Sequence, residues 1–576
     1  MKKSVIAMLS IFAILTVVSC KDNFLVQTPT AALSGATLST QKGVEGLLIG
    51  AYAELNGESN VNFYGAMSNW LWGGIRGGDA NKGSNAGDQA DAGPISRYET
   101  QPTNSYLGGK WQVCYEGISR CNQTLIYLAA ASDISADNKK RIAGEARFLR
   151  AIYHFELKKI WGNIPFIDET KTYGNGVEKV KNDVSAWPMI EADFKNAYDN
   201  LPETQSEAGR VNKWAAGSFL AKVYMFQNKF TEAKALFDQI IANGKTTNGQ
   251  KYGLMANYTD LFDPAFDNNK ESIFAFQATS GSGNANNSNA DMVLNFPYNG
   301  GPAGCCGFNQ PSFDLANSFR VDAKGLPLLD NSYRMPANEL KTDQGLLSSA
   351  PFKVDDKTVD PRLDYSIGRR GVPYLDWGPH PGFDWVRDQS YGGPYAPRKF
   401  IFPKSQQASY TDGSSWTAGY TAINLCLIRY ADLLLLAAEA EVEVGSLEKA
   451  REYTNLVRTR ASNPAAFIKN GNVNAANYKI GNYTTVWTDK AAARTAVRFE
   501  RRLELSGEGH RMFDLVRWGV AAQEMNAYFA YEGSASKLPL TLGGATFVAG
   551  KHELLPIPQG QIDAVGSDIL KQNAGY

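Results

Sequence analysis

The residues best suited to acid–base chemistry lie near the C-terminus, where His510 and Asp514 follow Glu500 and Glu504. On a helix, Glu500 and Glu504 are one turn apart and share a face. Neighbouring arginines such as Arg501 would pair with these carboxylates, and ion-pair networks of this kind shift pKa values without doing chemistry. We therefore interpret this cluster as an ion-pair lattice that fixes the C-terminal helices.

The sequence contains no motif for metal, nucleophile or phosphate-loop chemistry. The four histidines, His154, His380, His510 and His552, form no His-x-x-x-His pair, and there is no Cys-x-x-Cys spacing. No Gly-x-Ser-x-Gly precedes a helix, and no glycine-rich loop ends in Lys-Ser/Thr. We therefore predict a protein that is not an enzyme and uses no cofactor or metal. A hydrolase whose paired carboxylates come from distant positions is the enzymatic alternative.

Two loop stretches combine aromatic rings with polar side chains, as sugar recognition requires. A sugar presents apolar C–H faces and many hydroxyls, so its site needs exposed aromatic platforms beside hydrogen-bonding groups. The predicted ligand contacts are Asn69, Trp70, Trp72, Arg76 and Asp79 in the first stretch, and Trp377, His380, Trp385 and Tyr391 in the second. The alternative is that these large aromatic residues pin their loops to the core.

A second alternative concerns the acidic residues of the first stretch. Asp79 is followed by Asp88 and Asp91, and loop carboxylates of this kind are ligands for calcium. Calcium binding by these three residues is therefore an alternative to ligand contact by Asp79.

Charge and hydropathy argue against nucleic-acid binding and against a membrane-spanning helix after the first 20 residues. Lys+Arg and Asp+Glu are 58 each, so the chain supplies no basic field for nucleic-acid binding. After the first 20 residues there is no apolar run of about 18 residues, the length that indicates a membrane-spanning helix.

The N-terminus has the pattern of an export signal. Lys2 and Lys3 precede an apolar run of secretory length at 5–18, and the run ends at Cys20 in a sequence that resembles a bacterial lipobox. We predict that residues 1–19 are a signal peptide and that Cys20 carries the lipid, whose acyl chains would anchor the protein to a membrane. Lys21 and Asp22 resemble the tag that sends some Bacteroidetes lipoproteins to the outer face of the outer membrane.

The remaining cysteines do not form a disulfide framework. Cys114 and Cys121 lie in one predicted helix, about 10.5 Å apart, beyond the roughly 7 Å that a disulfide can span. We predict that both are small core residues. Cys305 and Cys306 are adjacent in a glycine-rich run, and the sequence leaves open whether they form a vicinal disulfide or two thiols.

Apolar periodicity predicts a mainly α-helical fold. Predicted helices cover 42–56, 111–128 and 142–160, and two helical hairpins at 214–241 and 428–460 have the pattern of tetratricopeptide units. Because two such units are too few for an open solenoid, they must pack against the other helices.

Helical periodicity is lost between about 245 and 420, where glycine, asparagine, proline, serine and aromatic residues predominate. Short runs at 272–277 and 398–402 favour local β pairing. We expect a functional surface from this long irregular stretch. The predicted organisation is an N-terminal helical region at 20–242, a loop-rich insertion at 243–427 and a C-terminal helical region at 428–576. The expected fold is therefore a tetratricopeptide-like hairpin scaffold with long irregular insertions.

Ordered motifs run along the chain from about residue 140 to its end. They are GEARFLRA at 144–151, GNIP at 162–165, IRYAD at 428–432, AEA at 438–440, VRTRA at 457–461, ERRLEL at 500–505, GHRMFDLVRWG at 509–519, LLPIP at 554–558 and QNAGY at 572–576. In this order they resemble the SusD/RagB family of outer-membrane nutrient-uptake lipoproteins.

The resemblance implies a lipid-anchored binding protein on the cell surface that forms a lid on a SusC-like, TonB-dependent β-barrel transporter. Such a protein captures a nutrient, commonly a glycan fragment, and delivers it to the barrel. The resemblance also implies that helical pairs face the transporter and that irregular insertions form the ligand surface. We therefore expect an extracellular, outer-membrane, carbohydrate-binding protein. The alternatives are a peptide or other nutrient as ligand, a lipid-anchored hydrolase, and a helical adaptor that joins proteins.

Overall fold

The computed structural model describes residues 34–57 and 62–576, and α-helices dominate these ranges. The predicted signal peptide, the predicted lipid-bearing Cys20 and the Lys21–Asp22 tag lie outside the described residues. Within the described ranges, no helix is long and apolar enough to cross a membrane.

The helices of seven or more residues are α1 (Gln41–Ala53), α2 (Ser105–Ala130), α3 (Ala136–Trp161), α4 (Trp187–Asn200), α5 (Lys213–Phe226), α6 (Phe230–Asn243), α7 (Tyr430–Val444), α8 (Leu447–Ala461), α9 (Lys490–Glu504), α10 (Arg511–Arg517), α11 (Ala521–Glu532) and α12 (Gln559–Val565). Shorter helices are Gly35–Leu38, Asn62–Gly65, Ala92–Arg97, Phe313–Ser318, Arg362–Ser366, Gln389–Gly392, Gln407–Tyr410 and Pro539–Leu542. The predicted mainly α-helical fold is confirmed.

Local sequence determines where the long helices begin and end. The Asn104 side chain accepts a hydrogen bond from the Tyr106 N–H at the start of α2, and Ser135 caps α3 in the same way. Such caps satisfy backbone N–H groups that have no partner inside the helix. Helix α3 ends at Trp161. The next residue, Gly162, has a φ angle of 73°, a conformation that glycine adopts without strain.

Packed neighbours connect the helices in one series. Helices α2 to α6 each pack against the next, α1 packs on α2, and α6 packs on α7, which also contacts α8 and α9. The predicted hairpins are therefore present as α5–α6 and α7–α8. Leu433, Leu434, Leu435 and Leu436 of α7 are all fully buried, so this helix lies inside the molecule.

Short antiparallel strands pair in twos, and all but the last pair join segments that are distant in sequence. The pairs are β1 (Ala80–Gly83) with β3 (Phe308–Pro311), β2 (Ser272–Phe276) with β6 (Leu425–Arg429), β4 (Ile367–Gly368) with β5 (Ala396–Pro397), and β7 (Lys469–Asn470) with β8 (Val473–Asn474). The prediction of local pairing for 272–277 is wrong, because β2 pairs with a strand about 150 residues later. The predicted strand at 398–402 is absent, and β5 ends just before it.

The acidic motif residues of α9 form a buried ion-pair lattice, but the prediction that the neighbouring Arg501 pairs with them is wrong, since Arg501 pairs with Asp432 and Asp514. Glu500 accepts hydrogen bonds from Arg362 Nη1 at 2.6 Å and from Arg458 Nη1 at 2.7 Å. Glu504 accepts from Arg429 Nη1 at 2.7 Å and also pairs with Arg362 and Arg460. The partners come from other segments rather than from the next turn of α9, so the lattice ties the loop-rich region to the C-terminal helices.

Arg501 and His510 also belong to the scaffold. Arg501 donates to Asp432 Oδ1 at 2.8 Å and pairs with Asp514. Burial lowers the pKa of His510 to about 4, which keeps the ring neutral at physiological pH. Both residues therefore serve packing between α7, α9 and α10.

Candidate ligand-binding face

The first predicted stretch lies in the core. Trp70 and Trp72 belong to a π-helical turn, Trp70–Ile75, and are 2% and 1% exposed. Their indole N–H groups donate to the carbonyl oxygens of Phe63 at 2.7 Å and Tyr64 at 2.6 Å. The prediction of an exposed aromatic platform is wrong for both residues, because neither ring has a free face.

The polar residues of this stretch are also buried, and each has a structural partner. Asn69 donates to Glu156 Oε2 at 2.8 Å, and Arg76 Nη2 donates to the carbonyl oxygen of His552 at 2.9 Å. Asp79 accepts from the Gly507 N–H at 3.4 Å, and its burial raises the pKa of the carboxyl to about 6. The prediction that Asn69, Arg76 and Asp79 are exposed for ligand contact is therefore wrong.

Glycines explain why this stretch is buried. A Cβ at Gly73 would lie 1.7 Å from the carbonyl oxygen of Gly509, and a Cβ at Gly77 would lie 2.6 Å from the Met512 nitrogen. The backbone of the turn therefore packs directly on the GHRMFDLVRWG motif. These glycines indicate close packing rather than an exposed loop.

The second predicted stretch is divided between the core and the surface. His380 and Trp385 are buried, and the Trp385 ring packs edge-on against His380 with centroids 5.1 Å apart. Burial lowers the pKa of His380 to about 3, so the ring is neutral, and its Nδ1 accepts a hydrogen bond from the Gly382 N–H. The prediction of exposure is wrong for His380 and Trp385, whose rings pack in the core beneath the surface of these loops.

Trp377 and Tyr391 are half-buried, so each retains some accessible surface. The Trp377 indole N–H donates to the carbonyl oxygen of Phe402 at 3.0 Å, and Lys404 Nζ lies 5.7 Å from its ring. Lys82 Nζ lies 5.0 Å from the Tyr391 ring. These two residues remain predicted ligand contacts.

The three aspartates considered for calcium have separate partners. Asp79 bonds to Gly507, Asp88 accepts from Arg387 Nη1 at 2.6 Å, and Asp91 accepts from the Ser105 N–H at 3.3 Å. Over 34–57 and 62–576, no group of three or more His, Cys, Asp or Glu side chains is arranged to hold a metal ion.

A loop at 297–307, the central loop, organises the accessible part of the irregular region. The Tyr298 N–H donates to the carbonyl oxygen of Trp385 at 2.9 Å, and the Gly307 N–H donates to that of Phe296 at 2.9 Å. The Ala303 carbonyl oxygen accepts from Thr417 Oγ1 at 2.9 Å. These bonds hold the loop at both ends and near its middle. Within the loop, Cys305 and Cys306 are joined by a disulfide, which settles the alternative that the sequence left open.

One side of the central loop presents a charged and aromatic group. The Arg387 guanidinium carbon lies 5.4 Å from the Tyr298 ring centroid, and its Nη1 donates to Asp88 and to Ser84 Oγ at 3.0 Å. The side chains of Arg387 and Asp88 are 32% and 29% exposed. Because the described hydrogen bonds of Arg387 use only Nη1, its other nitrogens can donate to a ligand.

A second part of the central loop, near Ala303, lies beside an open indole. Trp416 is 64% exposed, and the Tyr420 ring stands nearly perpendicular to it with centroids 6.3 Å apart. Thr417, the next residue, is bonded to the central loop through Ala303. We call Asp88, Tyr298, Arg387, Trp416 and the central loop the loop face.

Sequence reasoning missed Tyr298 and Trp416. Trp416 stands alone among small polar residues in SSWTAG at 414–419, whereas the prediction favoured stretches dense in aromatic residues. A lone tryptophan with no apolar neighbours in sequence has little to pack against locally. This isolation was the signal in the sequence that could have indicated an exposed indole.

A separate cleft lies between α1 and the end of β2. It has a volume of about 310 Å³ and an apolar lining that includes Ile49, Tyr52 and Phe276. Two residues of the cleft share one partner, since Tyr52 donates to Glu145 Oε2 at 2.7 Å and Arg210 pairs with the same carboxylate. Glu207, Gln277, Thr279, Asn286 and Asn287 also line the cleft, so it offers polar groups too. Its aromatic rings, Tyr52 and Phe276, are half-buried and buried, whereas the loop face presents an open indole.

Sequence models of two families match the chain. The model described as "SusD family" matches residues 270–576, and the model described as "Starch-binding associating with outer membrane" matches residues 36–225. The first match alone covers more than half of the chain.

Known SusD-like proteins are similar to this chain over nearly its whole length. SusD-like protein P2 of Formosa agariphila is 24% identical over 577 residues, 98% of each chain. Among solved structures, a laminarin binding SusD-like protein has a TM-score of 0.62 at 23% identity and covers 93% of this chain and 100% of its own. Surface glycan-binding protein A from Bacteroides thetaiotaomicron, in complex with laminarihexaose, has a TM-score of 0.63 at 21% identity, over 93% and 99% of the two chains. With the family match, the shared fold and the ordered motifs in agreement, this chain belongs to the SusD family.

Proposed function

We propose that this protein binds an extracellular glycan on its loop face and delivers it to a SusC-like, TonB-dependent transporter. The observation that carries the proposal is the arrangement of an open indole, Trp416, and a Tyr298–Arg387–Asp88 group around one anchored loop. The role is that of a binding protein rather than an enzyme.

The two sides of the loop face match the two kinds of surface on a sugar. The Trp416 ring offers an apolar face on which the C–H groups of a sugar ring can stack. Arg387 donates and Asp88 accepts, so together they can bond to neighbouring hydroxyls. Because the ion pair balances its own charge, the group suits a neutral glycan.

The similar proteins support a glycan as the ligand class. Two of the similar structures are described as binding laminarin or as a complex with laminarihexaose. Laminarin is therefore the first glycan to test. The description of the family model matched at 36–225 supports a location at the outer membrane.

The lipid anchor, the extracellular face and the transporter belong to the same proposal. They rest on the lipobox-like sequence at Cys20 and on the family's implied role as a lid. Co-purification of a SusC-like barrel with the tagged, full-length protein from native outer membranes tests the partner. Recovery of the protein without any such barrel would contradict the delivery role.

Affinity electrophoresis tests binding directly. Protein that lacks residues 1–20 is run in gels that contain laminarin, starch, xylan, galactan or mannan, beside Trp416→Ala. We expect retardation by one glycan class and its loss in the variant. Tyr173→Ala is a matched control, because Tyr173 is 96% exposed and lies outside the loop face.

Two results would contradict the proposal. Equal mobility in every gel would exclude these glycans and favour a peptide or another nutrient. Release of reducing sugars from the retarding glycan by the pure protein would contradict the non-enzymatic role.

A further inference from the structure

The Cys305–Cys306 disulfide lies between the two sides of the loop face. Two residues before it, the Ala303 carbonyl oxygen is bonded to Thr417, the neighbour of Trp416. Directly after it, Gly307 packs beside Tyr298, since a Cβ at Gly307 would lie 3.3 Å from the Tyr298 Cβ. The disulfide therefore occupies the stretch of chain that connects the indole to the tyrosine–arginine group.

The composition of the central loop makes this connection flexible unless it is restrained. Glycines occupy 300, 301, 304 and 307, and Asn299 and Ala303 have positive φ angles of 54° and 62°. Glycine loses more conformational freedom than any other residue when it becomes ordered, and non-glycine residues pay an energetic cost at positive φ. A covalent bond between the two cysteine side chains removes part of that freedom before any ligand binds.

One half of the disulfide is accessible to a ligand, since Cys306 is buried but Cys305 is not. Cys305 is partly exposed, and Asn299, Gly300 and Gly304 around it are exposed and carry small side chains or none. Sulfur is apolar and polarizable, so the partly exposed Cys305 can contact the C–H face of a sugar. An extracellular location, as the export signal predicts, is oxidising and preserves such a bond.

We propose that the Cys305–Cys306 disulfide is part of the ligand-binding surface, where it holds Tyr298 in position relative to Trp416 and thereby sets the affinity for glycan. This inference rests on the proposed glycan-binding function. It assigns the cysteine pair a positioning role in binding rather than a role in overall stability, because the remaining anchors of the loop do not involve sulfur.

Calorimetry with laminarin, or with whichever polysaccharide of the panel retards the protein, tests the proposal in the oxidised and reduced states. A water-soluble phosphine breaks the S–S bond to two thiols and is itself oxidised with an oxygen atom from water. A thiol count in denaturant confirms two additional thiols. We expect at least about fivefold weaker binding after reduction, with an unchanged thermal unfolding midpoint.

The double variant Cys305→Ser/Cys306→Ser gives a second test without a reductant. We expect the same loss of affinity and no further effect of the phosphine. Cys426→Ser is the matched control, because Cys426 is a free cysteine in β6, away from the loop face, and its replacement should leave both affinity and reductant sensitivity unchanged. Amide hydrogen exchange at 299–307 should become faster in the reduced protein.

The outcomes separate the two proposals. Equal affinity before and after complete reduction would overturn the inference and leave the glycan-binding function intact. Absence of binding by the oxidised wild type to every polysaccharide would contradict the proposed function and, with it, the role of the disulfide in affinity. In that case unchanged hydrogen exchange after reduction would also overturn the positioning role.

Discussion

The guanidinium of Arg387 lies over the ring of Tyr298, with its central carbon 5.4 Å from the ring centroid. The same guanidinium bonds to Asp88 and Ser84, which are about 300 residues earlier in the chain. Arg387 therefore connects the central loop to the segment that follows β1. This contact fixes the tyrosine ring and aligns an acceptor and a donor beside it.

The first prediction concerns this arginine. Arg387→Lys should weaken glycan binding about tenfold, because lysine keeps the charge but lacks the planar fork that reaches Asp88 and stacks on Tyr298 together. Calorimetry with the retarding glycan measures the effect. Arg494→Lys is the control, since Arg494 of α9 is 30% exposed and pairs with Glu443 of α7. Equal losses in both variants would argue against a specific role for Arg387.

The second prediction separates a ligand contact from a core residue. Trp416→Phe should retain most of the affinity that Trp416→Ala loses, because stacking on a sugar needs an aromatic face rather than the indole N–H. Neither change should lower the free energy of unfolding by more than about 0.5 kcal/mol, as is usual for exposed positions. A phenylalanine variant as weak as the alanine variant would contradict stacking.

The third prediction concerns Trp72, which the sequence favoured as a ligand contact. Trp72→Ala should lower the free energy of unfolding by about 3–5 kcal/mol, because it leaves a cavity in the core and removes the partner of the Tyr64 carbonyl oxygen. Chemical denaturation measures the loss. Glycan affinity of the folded fraction should stay within about twofold of the wild type. A stable variant with abolished binding would reverse this assignment.

The helices were predictable because their apolar residues repeat at helical spacing, as in α2 and α3, where the predicted cores lie inside the observed bounds. The loop face was less predictable because burial depends on distant partners. Trp72 is buried by a turn that packs on Gly509, more than 400 residues later, and no local pattern encodes that contact. The prediction of local pairing for β2 was wrong for the same reason, since strand periodicity does not identify a partner about 150 residues away.

The fourth prediction concerns the buried lattice. Burial by itself would raise the pKa of Glu504, but Arg460, Arg429 and Arg362 lower it to about 2. Because this value lies below the usual pKa of about 4.3 in an unfolded chain, Glu504 adds stability above about pH 4.3 that is lost as pH falls toward 2.

Glu504→Gln removes that contribution and leaves buried arginines without their carboxylate. We expect a loss of about 3–5 kcal/mol at pH 7 and a smaller difference from the wild type near pH 3. Denaturation series at the two pH values measure it. A loss that is the same at both would mean that the charge of Glu504 is not the source of its contribution.

The last prediction concerns Asp79, whose pKa changes in the opposite direction. Burial raises the pKa of Asp79 to about 6, and the nearby Arg502, Arg511 and Lys399 offset only part of this effect. In the unfolded chain the pKa is about 3.9, so between about pH 4 and 6 the folded protein keeps a proton that the unfolded chain has released. The folded state binds more protons in this range, and its stability therefore falls as pH rises.

Asp79→Asn has no proton to lose, so its stability should not show this fall. From pH 4 to pH 8 the variant should gain about 3 kcal/mol relative to the wild type, which is the free energy equivalent of the roughly two-unit difference in pKa. Parallel curves for Asp79→Asn and the wild type would show that Asp79 is ionised in the folded core across the whole range, held by Arg502 and its neighbours more strongly than burial opposes it.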